Sequence, residues 1–185
     1  AEREEKTTVR LHTGDPCLYG AIREQMDVLD QEEISYDYCP GVSSFCGAAS
    51  ALNLEYTLPE VSQSVIITRM AGRTPVPEKE SIESFAAHQA TMVVFLSTGL
   101  LEELSRRLIA GGYKPDTPAA IVYKATWPEE EVHHCEVRTL KETAEKYGIR
   151  KTALIVVGAI LNGDYRRSEL YNPAFTTEFR QGKAE

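Results

Sequence analysis

The chain has 185 residues, 42% hydrophobic, 26% charged and 8% aromatic, with 20 Lys+Arg against 28 Asp+Glu for a formal net charge of −8. That length holds one large domain or two small ones with a real core, and the composition excludes disordered, collagenous and disulfide-scaffold chains. The acidic balance argues against general nucleic-acid binding, no apolar run reaches the ~20 residues of a membrane span, and four widely spaced cysteines without a CxxC pair read as reduced thiols of a cytoplasmic protein.

After a charged leader, Val9 and Leu11 predict a strand over 8–11 that runs into Thr13-Gly14-Asp15-Pro16. A parallel α/β domain rarely opens with one strand and its ligand turn, so the chain reads as starting inside a domain. Ile22, Met26 and Leu29 carry the spacing of a helix with one buried face over 18–29, entered through the proline turn. Ile34, Tyr36 and Tyr38 alternate with polar residues as a second strand, over 34–38, before Cys39-Pro40-Gly41. Ser43 or Ser44 then caps a helix of small residues. To about residue 60 the pattern is β-loop-α-β-loop-α, which implies a parallel sheet with ligands at the carboxyl ends of its strands.

From Ser62 the character changes to β-branched runs at 64–69, 92–97, 119–125, 134–137 and 153–157, whose near-continuous apolarity predicts strands buried on both faces. A helix capped at Ser97-Thr98 carries Leu100, Leu101, Leu104 and Leu108 and stops at Gly111-Gly112. Thr139 and Glu142 have capping-box spacing for another helix, and Trp127-Pro128-Glu129 forms the tip between two neighbouring strands. The expectation is α/β throughout: residues 1–61 as the later part of a parallel-sheet domain, and residues 62–185 as a second domain with a mixed sheet.

Taken singly, the chemical motifs are equivocal. Gly14-Asp15-Pro16 is common turn chemistry, although its glycine also admits a ligand to the backbone and its carboxylate can accept from ribose or amino groups. Pro40-Gly41-Val42-Ser43-Ser44 is either a helix cap or a ligand loop. Two such loops after adjacent strands would converge at one sheet edge. Arg69 and Arg73 bracket a flexible Ala-Gly step that is either a solvated loop or a grip for carboxylates, with Lys124 a further cation. His133-His134-Cys135 lacks zinc spacing, so no metal is expected.

Together these loops resemble the tetrapyrrole methylases. The resemblance runs along nearly the whole chain, through H-T-G-D-P-C-L-Y-G-A, P-G-V-S-S, T-R-M-A-G-R-T-P-V-P-E, Y-K-A-T-W-P-E-E and G-I-R-K-T-A-L. The first two are general to the family. The R-T-P-V-P-E and Y-K-A-T-W-P-E-E stretches are similar to the branch acting at C-11 of precorrin-4 or cobalt-precorrin-4, in corrin ring synthesis. The resemblance implies S-adenosylmethionine as methyl donor, held by Thr13, Gly14, Asp15, Leu18, Ser43, Ser44, Leu96, Ala125 and Thr126. It implies a tetrapyrrole acceptor, whose carboxylates Arg69, Arg73 and Lys124 would contact, with the donor in a cleft between two domains. The family's opening strand and G-x-G-P-G-D-type loop have no counterpart, so the chain resembles the C-terminal two-thirds of such an enzyme. Alternatives are a methylase of the same fold with another acceptor (another corrin carbon, uroporphyrinogen or diphthamide), or a non-catalytic fragment that only binds ligand or partner. A homodimer covering the edges left by absent strands is expected, with no nucleic-acid or membrane partner.

Overall fold

The computed structural model describes residues 4, 6–163 and 172–182, which fall into two compact units, 1–47 and 48–185. In the first unit the strands expected over 8–11 and 34–38 do not form; among the described residues no strand precedes residue 65. Alternating β-branched and aromatic residues favour an extended backbone, but a strand exists only through a paired neighbour. Val9 and Leu11 accordingly stay 73% and 88% exposed. Helix α1 spans Arg23–Gln31 and starts later than the apolar spacing predicts, because Tyr19 and Ala21 take positive φ values of 57° and 49°. Its half-buried side is the expected one, Ile22, Met26 and Leu29. Outside, Arg23 pairs with Asp27 one turn on and reaches Asp30 at 3.2 Å, a surface pattern that adds only tenths of a kcal/mol. Helix α2, Ser44–Ala51, forms where the small-residue run predicts it.

The second unit is the mixed α/β layer expected. Its strands are β1 Val65–Arg69, β2 Thr91–Phe95, β3 Pro118–Tyr123, β4 Glu131–Glu136 and β5 Ala153–Val157, in the order β1-β2-β5-β3-β4. β1 and β2 are parallel; every other pairing is antiparallel. β2 is buried along its whole length and β3 and β5 nearly so, as their unbroken apolarity requires. β4 begins earlier than its apolar residues suggest; it lies at the border of the sheet, where Glu131 and His134 are exposed.

One sheet face, Met92, Val94, Ala119, Ile121, Ile155 and Val157, packs against α3 Ile82–Ala86, α4 Leu101–Ala110 and α5 Leu140–Lys146. Leu101, Leu104 and Leu108 of α4 are buried at 4%, 0% and 0% exposure, whereas Leu100 lies outside at 37%. Two local details differ from expectation. Thr139 does not cap α5; its hydroxyl closes the preceding turn, accepting from the Glu136 N–H and donating to the Glu136 carbonyl, both at 3.1 Å. Ser97 does not cap a helix either. Its buried hydroxyl accepts from the Met70 N–H at 2.9 Å and donates to the Phe95 carbonyl at 2.6 Å, tying the chain beyond β1 to the end of β2. The segment leading into β1 is fastened in the same way: Thr91 donates to the Tyr56 carbonyl at 2.8 Å, and the Thr91 N–H donates to the Ser62 hydroxyl at 2.9 Å.

Candidate functional site

In the first unit the two glycine loops lie against each other. Gly14 turns with φ of +64° and sits 3.6 Å, measured from a virtual Cβ, from Val42 O, Ser43 Cα and Ser44 N. At Gly41 the approach is closer still: a Cβ there would stand 2.1 Å from Gly14 O, so only glycine lets the loops meet. Asp15 fastens the junction. One carboxylate oxygen accepts from the Cys17 N–H at 2.9 Å and from the Tyr38 hydroxyl, and the other accepts from the Gly41 N–H at 3.0 Å. The Tyr38 hydroxyl, then these backbone N–H groups, hold the Asp15 carboxyl well below the usual carboxylate range. Reciprocally, the bond to Asp15 pushes Tyr38 up to about 12 and raises the Cys17 thiol. Thr13 and Ser44 are exposed, Asp15 and Leu18 half-buried and Ser43 buried. Tyr38 alternates with Asp37 as a strand residue would, and its contact with Asp15, 23 positions earlier, leaves no mark in the local sequence pattern.

In the second unit, the strand directions place the carboxyl ends of β1, β2 and β3 and the amino end of β5 along one sheet edge. Four non-glycine residues there adopt left-handed backbone: Leu96 (φ 53°), Lys124 (φ 47°), Thr126 (φ 71°) and Thr152 (φ 58°). Such conformations cost on the order of 1 kcal/mol each and collect at functional edges. They are braced here. The Lys124 N–H donates to the Thr152 carbonyl at 2.8 Å, the Thr98 hydroxyl to the Ala153 carbonyl at 3.4 Å, and the Thr126 N–H to the Glu130 carboxylate at 2.6 Å. Leu96, though apolar, is 72% exposed on this edge, and Ala125 is half-buried.

The three cations differ. Arg69 is committed to its own loop, donating to the carbonyls of Met70 at 3.1 Å, Thr74 at 3.2 Å and Pro75 at 2.9 Å. Its fork therefore shapes the segment that carries Arg73. Arg73 is exposed and has no ion pair among the described residues. Lys124 lies 5.4 Å from the ring centres of both Tyr123 and Trp127 and 3.6 Å from Glu129, a cation–π seat more than an outstretched charge. His133 stacks on Tyr147 with ring centres 3.7 Å apart and meets Glu131 at 2.9 Å.

The family model for tetrapyrrole (corrin/porphyrin) methylases matches residues 1–141, and the chain belongs to that family. It is 48% identical to the cobalt-precorrin-4 C(11)-methyltransferase of Methanocaldococcus jannaschii over 182 residues, 98% of this chain and 70% of the relative. The X-ray structure of a cobalamin biosynthetic enzyme, cobalt precorrin-4 methyltransferase, superposes with a TM-score of 0.84 at 45% identity, covering 86% of this chain and 66% of that one. The uroporphyrin-III C-methyl transferase of Thermus thermophilus complexed with S-adenosyl homocysteine shares the fold, with a TM-score of 0.65 at 24% identity over 82% of this chain and 65% of that one. The chain thus spans about two-thirds of the lengths of the solved relatives.

Proposed function

We propose that the chain is the larger part of an S-adenosylmethionine-dependent C-methyltransferase acting at C-11 of precorrin-4 or cobalt-precorrin-4, with residues 1–61 continuing its first domain and 62–185 forming its second. The observation that carries this reading is the 48% identity to a cobalt-precorrin-4 C(11)-methyltransferase along 98% of the chain. The chemistry of the loops supports it. An adenosyl sulfonium carries no phosphate, so its site needs glycines, small residues and hydroxyls in place of a basic cluster. Residues 13–22 and 39–47 contain no lysine or arginine and supply Gly14, Gly41, Ser43 and Ser44.

S-Adenosylmethionine supplies an already electrophilic methyl group. The protein's work is to align donor and acceptor carbon, which converts an encounter into an oriented, near-unimolecular step. Thr13, Gly14, Asp15, Leu18, Ser43, Ser44, Leu96, Ala125 and Thr126 are assigned to the donor. Arg73 is assigned to direct contact with the macrocycle's carboxylates. Arg69 acts there by shaping the loop, and Lys124 from its aromatic seat. Four free thiols fit a reducing cytoplasm, and a homodimer is the proposed assembly.

Calorimetric titration with S-adenosylhomocysteine, followed by methyl transfer to precorrin-4 and cobalt-precorrin-4 detected by mass, tests the proposal. Saturable binding and one added methyl are expected. Failure to bind would leave a non-catalytic fragment, and methylation of uroporphyrinogen alone would overturn the acceptor.

A further inference from the structure

Tyr38 stands outside every role assigned above, yet it makes a long-range side-chain contact within the first unit. Its hydroxyl meets the carboxylate of Asp15, 23 positions earlier. Tyr36, two residues before it, donates to Asp30 at 3.1 Å. The segment between α1 and the second glycine loop is therefore pinned by two tyrosine hydroxyls, one to the helix and one to the first glycine loop. Only the second touches the loop junction.

At that junction the close approach of Gly41 to Gly14 brings two peptide groups together without a side chain between them. Hydrogen bonds cross this contact and hold the loops together. Asp15 accepts the crossing bonds, from the Gly41 N–H and from Tyr38, and also the Cys17 N–H within its own turn. The Tyr38 bond holds the carboxylate in the orientation that also accepts from Gly41.

We propose that Tyr38 is a positioning residue of the methyl-donor site, acting through Asp15 to set the spacing of the 13–18 and 40–44 loops. This rests on the assignment of those loops to S-adenosylmethionine. Losing the hydroxyl leaves each loop intact but lets Asp15 rotate, so donor affinity falls while the acceptor's binding is untouched.

The test is a double-mutant cycle in the full chain, reading S-adenosylhomocysteine affinity by calorimetry. Tyr38→Phe is expected to weaken binding about ten-fold, the usual size for a hydrogen bond to a charged group. Tyr36→Phe, which removes a hydroxyl from the same segment without touching the junction, is expected to leave affinity within about two-fold. In an Asp15→Asn background, Tyr38→Phe should add little, because the two residues act as one unit. Under turnover, Tyr38→Phe should raise the donor KM and leave the tetrapyrrole KM unchanged. Equal effects of the two tyrosine substitutions, or full additivity with Asp15→Asn, would overturn the inference while wild-type binding still upholds the donor site. Absence of wild-type binding would instead overturn the assignment on which it rests. A loss of cooperative thermal unfolding in Tyr38→Phe alone would show a folding role and also refute it.

Discussion

Replacing Ser97 by alanine isolates one brace of the strained sheet edge. The side chain is fully buried, and its hydroxyl both receives the Met70 N–H and feeds the Phe95 carbonyl. Met70 is itself only 4% exposed, so its N–H has no route to water once the oxygen is gone. Two lost bonds at about 1 kcal/mol each, with one buried donor left unsatisfied, put the cost at about 2–3 kcal/mol. For a chain of this size that lowers Tm by about 7 °C. Urea titration followed by Trp127 fluorescence and calorimetric Tm measure it directly. The brace precedes a functional loss as well: Leu96, next to Ser97, holds a φ of 53°, and slackening the chain there should relax it and weaken S-adenosylhomocysteine. A destabilisation under about 0.5 kcal/mol would refute the reasoning, because it would mean that the Met70 N–H finds another acceptor at no cost.

Arg73→Ala should raise the tetrapyrrole KM with the donor KM unchanged, whereas Arg69→Lys, unable to serve three carbonyls with a planar fork, should disturb both; steady-state kinetics with each substrate varied would expose equal effects and so refute the distinction. Tyr113 is buried, donates to the Ala90 carbonyl and is pushed up to about 12 by desolvation. Its folded value exceeds the unfolded one near 10.0, so its contribution is whole below the unfolded value and declines as pH rises toward the folded one. Tyr113→Phe should therefore make the alkaline stability limb shallower by about one proton, and an unchanged slope would contradict this. Leu104→Ala, at a fully buried position of α4 facing the sheet, should cost about 3 kcal/mol in urea unfolding; a cost under about 1.5 kcal/mol would mean that the helix closes over the hole.

The second unit was legible because its signals are local and redundant. Unbroken β-branched runs such as 153–157 can only be central strands, and Leu101, Leu104 and Leu108 mark one side of a helix whatever surrounds them. The first unit misled for a related reason. Val9, Leu11, Ile34, Tyr36 and Tyr38 prefer extended backbone, but whether extended chain becomes strand depends on a neighbour that no local pattern encodes. Helix α3 was missed because a five-residue helix has too few turns to show a period, although Ser81 with Ser84 three residues later is a cap signal. For the candidate site, the glycines and serines stood out as turn chemistry. The clasp between Asp15, Tyr38 and Gly41, and the left-handed turns at Lys124 and Thr152, arise from contacts distant in sequence and have no signature in it.

The sheet order has a consequence for how the polypeptide is made. β5, the latest in chain order of the five strands of this sheet, sits in the middle, between β2 and β3. Until residue 157 emerges, the parallel β1–β2 pair and the β3–β4 hairpin are separate ribbons, each with one apolar edge, β2 or β3, open to any extended chain nearby. Synthesis at ~10 residues per second separates β3 from β5 by seconds, a long interval for such edges to stay open. The polar β4, which remains at the border of the finished sheet, guards one side of the hairpin throughout. Chaperone demand should therefore peak in that interval and end abruptly when β5 closes the gap.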